Sequence, residues 1–402
     1  MATSEPFGAE RARNFGFGPR ASDAGQGASP PEPRVEVERL EADEVRARAR
    51  DPEVKALAPL MPTKLVRPFE ATAADAQGVA WGIKAVRADV SAFTGAGVKV
   101  AVLDTGIDRS HPAFAGVTVT ERDFTGSGDG DRQSHGTHCA GTILGRDVGD
   151  PAAGIAVTRI GVAPGVTELL AGKVLGDDGS GDSRMIFEGI QWALQQKADV
   201  ISMSLGFDFP GLVSRLVQEE GWPIDLATSV ALEAYRANLR MFDALMEMVE
   251  GLAAFGQGTV LVAAAGNESQ RERNPDYEIA ASIPAAAQGV VAVGALQVEA
   301  GGGQQLRIAD FSNTFPQVSA PGVGILSAKA GGGLKALNGT SMATPHVAGV
   351  AALWWEALRA PGSGVAPSAA AVLAKLRATA RTDVFAADVD IADRGAGLVT
   401  AP

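Results

Sequence analysis

The sequence predicts an α/β fold, a mostly parallel central sheet with helices on both faces, arranged as three layers. Two observations carry this. Near-continuous apolar runs recur at residues 98–106 (VKVAVLDTG), 168–176 (ELLAGKVLG), 199–206 (DVISMSLG), 259–267 (TVLVAAAGN) and 290–296 (VVAVGAL), most of them ending at a glycine turn. Strands buried on both faces read this way. Between them lie helical patterns such as residues 183–196 (SRMIFEGIQWALQQ), and strands alternating with helices imply a parallel sheet covered on both sides. The length of 402 residues suits one large α/β domain with appendages, and an apolar content of 46% supplies a core. Many glycines and few aromatics suit close helix-on-sheet packing.

The chain divides into three parts. Residues 1–32 are rich in Gly, Ser, Pro and charge and are expected to be disordered. Residues 33–70 change to short strand and helix patterns, too small to bury a core of their own. The α/β domain runs over residues 76–402. Within it, residues 210–257 form an extended helical insertion with Val230, Tyr235, Leu239, Phe242, Leu245, Val249 and Leu252 at helical spacing, a face expected to pack on the sheet.

Composition excludes several function classes. A net charge of -12 without a basic block argues against nucleic acid. No run of 18 apolar residues exists, so no transmembrane helix and no membrane partner is expected. The N-terminus lacks the apolar stretch of a signal peptide, which makes a cytoplasmic location the expectation. Cys139 is the one cysteine, so no intrachain disulfide forms.

In an open parallel sheet, ligands sit at the carboxyl ends of the strands. Asp104 ends one strand, and a carboxylate there needs a partner. Four histidines are present: His111, His135, His138 and His346. His135 opens an apparent helix, HGTHCAGTIL, and its imidazole N–H is a natural partner for Asp104. A metal site on His135, His138 and Cys139 is the alternative, but the spacing is too tight and no second cysteine exists. Ser341 follows a Gly-Thr turn and opens a long apolar helix, where free N–H groups favour developing negative charge. Pro345 requires that helix to start close by. Ser341 as nucleophile, His135 as base, Asp104 as its orienter and Asn267 as an oxyanion donor form one consistent set. A general base of ordinary pKa implies that activity falls below about pH 6–7.

The segments VAVLDTGID, SHGTHCAGT, AAAGN and GTSMATPHVAG resemble the signature segments of the subtilisin-like serine proteases, in that family's order of Asp, His and Ser. The likeness runs from about Trp81 to Leu398. It implies a subtilisin-like fold and a serine endopeptidase acting on protein or peptide substrates through an acyl-enzyme, with no cofactor for the chemistry. It also implies that Gly179, Ser180 and Gly181 and Ser204, Leu205 and Gly206 are two edges that sandwich an extended peptide, and that Ser282 borders the pocket for the residue before the cut. Residues 33–70 stand where the family carries an inhibitory propeptide, and residues 52–68 are expected to lie in the cleft as an extended strand. A subtilisin-like transpeptidase or macrocyclase, or a peptide-binding pseudoprotease, would carry a similar triad. The family's usual calcium segment reads His111-Pro112-Ala113-Phe114 here, with Ala in place of the ligating Asp, so structural calcium is in question. The loop 126–131 offers Asp129 and Asp131 as a candidate cation loop. Oligomeric state is left open.

Overall fold

The computed structural model describes the backbone of Arg13–Phe17 and residues 35–71, 78–253, 256, 258–299 and 305–402. The N-terminal part contains β1 (Arg13–Phe17), β2 (Val35–Arg39), α1 (Ala42–Arg48), β3 (Leu57–Pro59), β4 (Pro62–Leu65) and β5 (Phe69–Glu70). β1 pairs antiparallel with both β2 and β3. A strand at 13–17 departs from the disorder expected of residues 1–32; its partners lie downstream, where a local composition argument does not look. The remainder of 1–32 lies outside the described residues.

The main domain follows with β6 (Gly78–Val79), α2 (Trp81–Ala85), β7 (Lys99–Asp104), β8 (Thr118–Asp123), α3 (His135–Leu144), β9 (Val148–Asp150), β10 (Ile155–Arg159), β11 (Glu168–Lys173), β12 (Ser180–Asp182) and α4 (Ser183–Gln195). It continues with β13 (Val200–Met203), β14 (Leu205–Phe207), α5 (Phe209–Gln218), α6 (Ile224–Ala253), β15 (Val260–Ala264) and β16 (Val291–Val298). The last elements are β17 (Leu306–Ile308), β18 (Val318–Pro321), β19 (Ile325–Ala328), β20 (Leu334–Asn338), α7 (Thr340–Arg359), α8 (Ala369–Ala378) and α9 (Ile391–Arg394).

The central sheet runs β17-β16-β15-β13-β7-β11-β8, with β18 also on β16. Every pairing in it is parallel except β16 with β17. The apolar runs form strands because alternate side chains enter two cores. On β7, Val100 and Val102 face one core, and Ala101 and Leu103 the other. On β15, Val260 and Val262 oppose Leu261 and Ala263 in the same way. Each large apolar side chain buried contributes about 1.5–3 kcal/mol, and the period of two makes one strand serve both faces.

The first core holds the buried stem of α7, with Val347, Val350, Leu353 and Trp355, beside Ile143 of α3. The second holds Ile186, Phe187 and Ile190 of α4 and the inner face of α6. The insertion is thus two helices, α5 and α6. Its buried face is Ala227, Ala231, Ala234, Asn238, Met241, Phe242, Leu245, Met246 and Val249. Val230 and Leu252, expected on that face, are exposed at 43% and 44%. Small alanines let α6 lie close to its neighbours, so the buried stripe is set by size rather than by the bulkiest residues.

Candidate active site

β7 carries Asp104 to the carboxyl end of the sheet, and α3 begins beside it. The approach is close enough that a Cβ at Gly136 would sit 2.1 Å from the Gly106 carbonyl oxygen and 3.2 Å from the Asp104 Cβ. Only glycine lets His135 lie next to Asp104. The His135 Nδ1 is 2.8 Å from Asp104 Oδ1, and both side chains are buried. Asp104 Oδ1 also accepts the Thr105 N–H at 2.7 Å.

Ser341 lies in the first turn of α7. Pro345 stands four residues on and has no N–H to give the Ser341 carbonyl. That oxygen is satisfied from outside the helix, by Ser204 Oγ at 3.2 Å and Cys139 Sγ at 3.4 Å. This exchange of partners ties the Ser341 backbone to the end of β13 and to α3, which carries His135.

Burial alone would push the His135 pKa down. The adjacent Asp104 carboxylate and its hydrogen bond outweigh burial and hold the imidazole well above its ordinary 6.5. Burial pushes the Cys139 thiol up, so Cys139 is a buried neutral group and adds little to that rise. The ring therefore stays protonated to a higher pH than an ordinary histidine. His138 and His346 go the other way: burial lowers them to about 3 and about 4. Each hydrogen-bonds to main-chain carbonyls, His138 Nε2 to Ile325 and Lys335, and His346 Nδ1 to Met342. Both are neutral structural groups.

Asn267 follows β15. Its Oδ1 accepts from the Thr340 N–H at 2.9 Å and the Thr340 hydroxyl at 2.8 Å, which aims its Nδ2 toward the cleft. Thr340 is a positioning residue that sequence reasoning did not single out, although it stands beside Ser341.

The cleft holds the chain's own β4. It pairs antiparallel with β12 on one side and β14 on the other. Lys64 stands opposite Ser180 and Gly206, Leu65 opposite Leu205, and the Leu65 N–H donates to the Gly179 carbonyl at 2.9 Å. Gly179, Ser180, Gly181, Leu205 and Gly206 therefore flank the chain's own extended β4. Ser204 lies one step deeper, under Ser341. A Cβ at Gly206 would meet Ser282 Oγ at 3.1 Å and Val66 Cγ2 at 3.6 Å, so Gly206, Ser282 and Val66 converge.

The reacting groups are split over two successive carbonyls. Ser341 Oγ donates to the Val66 carbonyl at 3.0 Å, and Asn267 Nδ2 donates to the Arg67 carbonyl at 3.0 Å. His135 Nε2 has no hydrogen-bond partner among the described residues. Beyond Pro68, β5 pairs antiparallel with β20. The segment thus crosses the whole cleft.

Asp131 has another use than the cation loop expected of it. Its two oxygens accept from Thr105 Oγ1, the Gln133, Ser134 and Thr137 N–H groups and Thr137 Oγ1. It caps α3 and so positions His135; with its lone pairs taken, it does not fit a cation ligand. Among the described residues, the one close group of three candidate metal ligands is Asp104, His135 and Cys139, where the Asp104–His135 pair already described lies.

A model of the subtilase family matches residues 95–395. Subtilisin E of Bacillus subtilis is 36% identical over 286 residues, covering 69% of this chain and 61% of that protein. Subtilisin of Bacillus pumilus is 36% identical over 286 residues, 69% of this chain and 85% of that protein. The major intracellular serine protease of Bacillus subtilis is 35% identical over 283 residues, 68% and 73% respectively. The match thus spans about three fifths of subtilisin E but a larger share of the other two. With the family match covering most of the chain and the signature residues converging at the end of the sheet, the chain belongs to the subtilase family.

Proposed function

We propose that this chain is a serine endopeptidase that cuts proteins or peptides through an acyl-enzyme on Ser341, and that residues 33–70 hold it inactive until they leave the cleft. The observation that carries the reading is the peptide carbonyl of Val66 lying 3.0 Å from Ser341 Oγ, in a strand bound antiparallel between β12 and β14. Ser341 Oγ attacks the carbonyl carbon. His135 Nε2 takes the hydroxyl proton and returns it to the leaving amine, while Asp104 holds the ring through Nδ1. Asn267 Nδ2 and the Ser341 N–H stabilise the oxyanion. Water then attacks the acyl carbon, with His135 again as base, and frees Ser341.

The same contacts account for inhibition. Attack needs Ser341 Oγ bonded to His135 and a single carbonyl facing both the nucleophile and Asn267. Here the hydroxyl is turned to Val66 and Asn267 is engaged by Arg67, one residue further on. Pro68 fixes its own φ and restricts Arg67, which keeps this register.

The usual calcium site of the family is absent from this reading, since Ala113 is fully buried in the apolar core where a ligand carboxylate would be needed. Relatives named as intracellular serine proteases support action inside the cell, and no helix among the described residues is long and apolar enough to cross a membrane.

The test pairs the wild type with Ser341→Ala on a protein substrate, with and without phenylmethylsulfonyl fluoride, while mass spectrometry follows the N-terminus. Cleavage by the wild type that the inhibitor stops and the variant lacks is the expected outcome, with activity appearing as residues before Arg67 are lost. Full activity with an intact N-terminus would sink the inhibitory role, and no activity after its removal would sink the protease.

A further inference from the structure

We propose that the α5–α6 insertion, together with the start of α4, extends the substrate cleft and reads polypeptide substrates beyond its two edges, selecting a basic residue third before the cut through Asp208 and anchoring the sixth to eighth residues through Ser183 of α4 and Asn238 of α6. This rests on the endopeptidase reading and on the register above, in which Val66 is the residue before the cut. Counting back from it, Lys64 is third, Met61 sixth and Pro59 eighth.

Each position meets a built feature. The Lys64 ammonium is 2.8 Å from Asp208 Oδ1. Asp208 is fixed before any substrate arrives, because Oδ1 also accepts the Gly211 N–H at 3.1 Å and caps α5. Its own N–H donates to the Pro62 carbonyl at 2.9 Å. Met61 is completely buried, and its main chain is held at both ends by one residue: the Met61 N–H donates to Ser183 Oγ at 3.1 Å, and the Ser183 N–H donates to the Met61 carbonyl at 2.9 Å. Further on, the side-chain amide of Asn238 donates to the Pro59 carbonyl at 2.9 Å.

Asn238 is the unusual member. It is fully buried, on the same face of α6 as Ala234, Met241 and Phe242, and its Oδ1 has no hydrogen-bond partner among the described residues. A half-satisfied amide at a helix position that packing alone would fill with an apolar residue costs stability. Among the described residues, its one hydrogen bond outside its own helix goes to a backbone carbonyl of an extended peptide. A main-chain carbonyl is common to every polypeptide, so the groups that hold Pro59 and Met61 suit any extended chain once the segment has left. Side-chain selection falls to Asp208 and to the apolar site filled by Met61.

The occupant is therefore a polypeptide at least eight residues long before the cut, with Lys or Arg third and an unbranched apolar residue such as Met sixth. Specificity is read as a ratio of kcat/KM for two peptides on the same preparation of full-length protein, so the fraction of open cleft cancels. One pair of internally quenched peptides carries residues 59–66 followed by a common leaving sequence and differs in Lys or Glu at the third position. A second pair compares that Lys peptide with one truncated to four residues before the cut.

Wild type is expected to favour Lys over Glu about tenfold, more than an exposed ion pair alone supplies, because repulsion of Glu by Asp208 is added to loss of the attraction. Asp208→Asn keeps the helix cap and is expected to remove that preference with the melting temperature unchanged. Asn238→Leu is expected to reduce the ratio of kcat/KM for the long peptide to that for the short one. Cleavage of all peptides with no charge preference and no length effect overturns the inference while sparing the endopeptidase reading. Failure to cleave any of them, by the full-length protein and by protein whose N-terminal segment has been removed, overturns both.

Discussion

Ser341 and His135 lie in one buried site yet share no hydrogen bond, and the cause is the Val66 carbonyl that takes the Ser341 proton. Removal of the nucleophile, Ser341→Ala, is expected to lower kcat by about 10⁶-fold in protein freed of its N-terminal segment, the scale seen when this family's triad is dismantled. Asn267→Ala is expected to cost about 10²–10³ in kcat with little change in KM, a magnitude measured on the family's own oxyanion asparagine. The pH profile follows from His135. The ring serves as base only when neutral, and Asp104 holds its pKa well above 6.5, so kcat/KM should climb with pH through an alkaline limb. A limb centred at or below pH 6.5 would contradict the pairing. His138 and His346 govern stability instead. Their folded pKa values, about 3 and about 4, lie below the ordinary 6.5, so the unfolded chain binds more protons as pH falls. Their contribution to stability is fully present above pH 6.5 and is lost progressively down to about pH 4 and pH 3. At about 1.4 kcal/mol per unit the combined loss is several kcal/mol. The melting temperature of Ser341→Ala, which cannot digest itself, should drop steeply over that window.

Among the elements, β4 has the largest consequence for function. It is the middle strand of a three-stranded sheet whose outer members are the two cleft edges. Leu65→Pro removes the donor to the Gly179 carbonyl at a central position, where proline is not tolerated in a ladder. It is expected to raise hydrolysis of a short peptide by the full-length chain several-fold; unchanged hydrolysis would mean that β4 does not control access. α7 illustrates a second coupling at this scale. Pro345 frees the Ser341 carbonyl for Ser204 and Cys139, so the helix that carries Ser341 is fastened to the end of β13 and to α3, which carries His135.

Across the whole molecule, the N-terminal segment is part of the fold as well as an occupant of the cleft. Ala58, Met61 and Leu65 belong to the second core, with α4 and α6. Loss of the segment exposes that surface, and burial of Met61 alone is worth about 1.5–3 kcal/mol. Activated protein lacking the segment is thus expected to melt a few degrees below full-length Ser341→Ala in calorimetry. Equal melting temperatures would show that the segment adds no stability.

Much of this protein was legible in the sequence itself. The apolar runs at residues 98–106, 168–176 and 259–267 became β7, β11 and β15 because burial on both faces leaves a pattern of uninterrupted apolar residues, and strand ends then mark the site. Asp104, His135, Asn267 and Ser341 each stand beside a local signal, a strand end or a helix start, so their residue types and order sufficed to group them. Tertiary structure decided the rest. The two partners of Lys64 in β4 lie 116 and 142 residues further along the chain, and neither the register nor the split between Val66 and Arg67 leaves a trace in local composition. Asp131 looked like a loop carboxylate until α3 folded onto it, and Asn238 looked like one polar residue on a long helix. The physical reason is common to all three. Propensity and periodicity report on a residue's near neighbours along the chain, whereas the partners of β4, Asp131 and Asn238 are fixed by how separate elements pack.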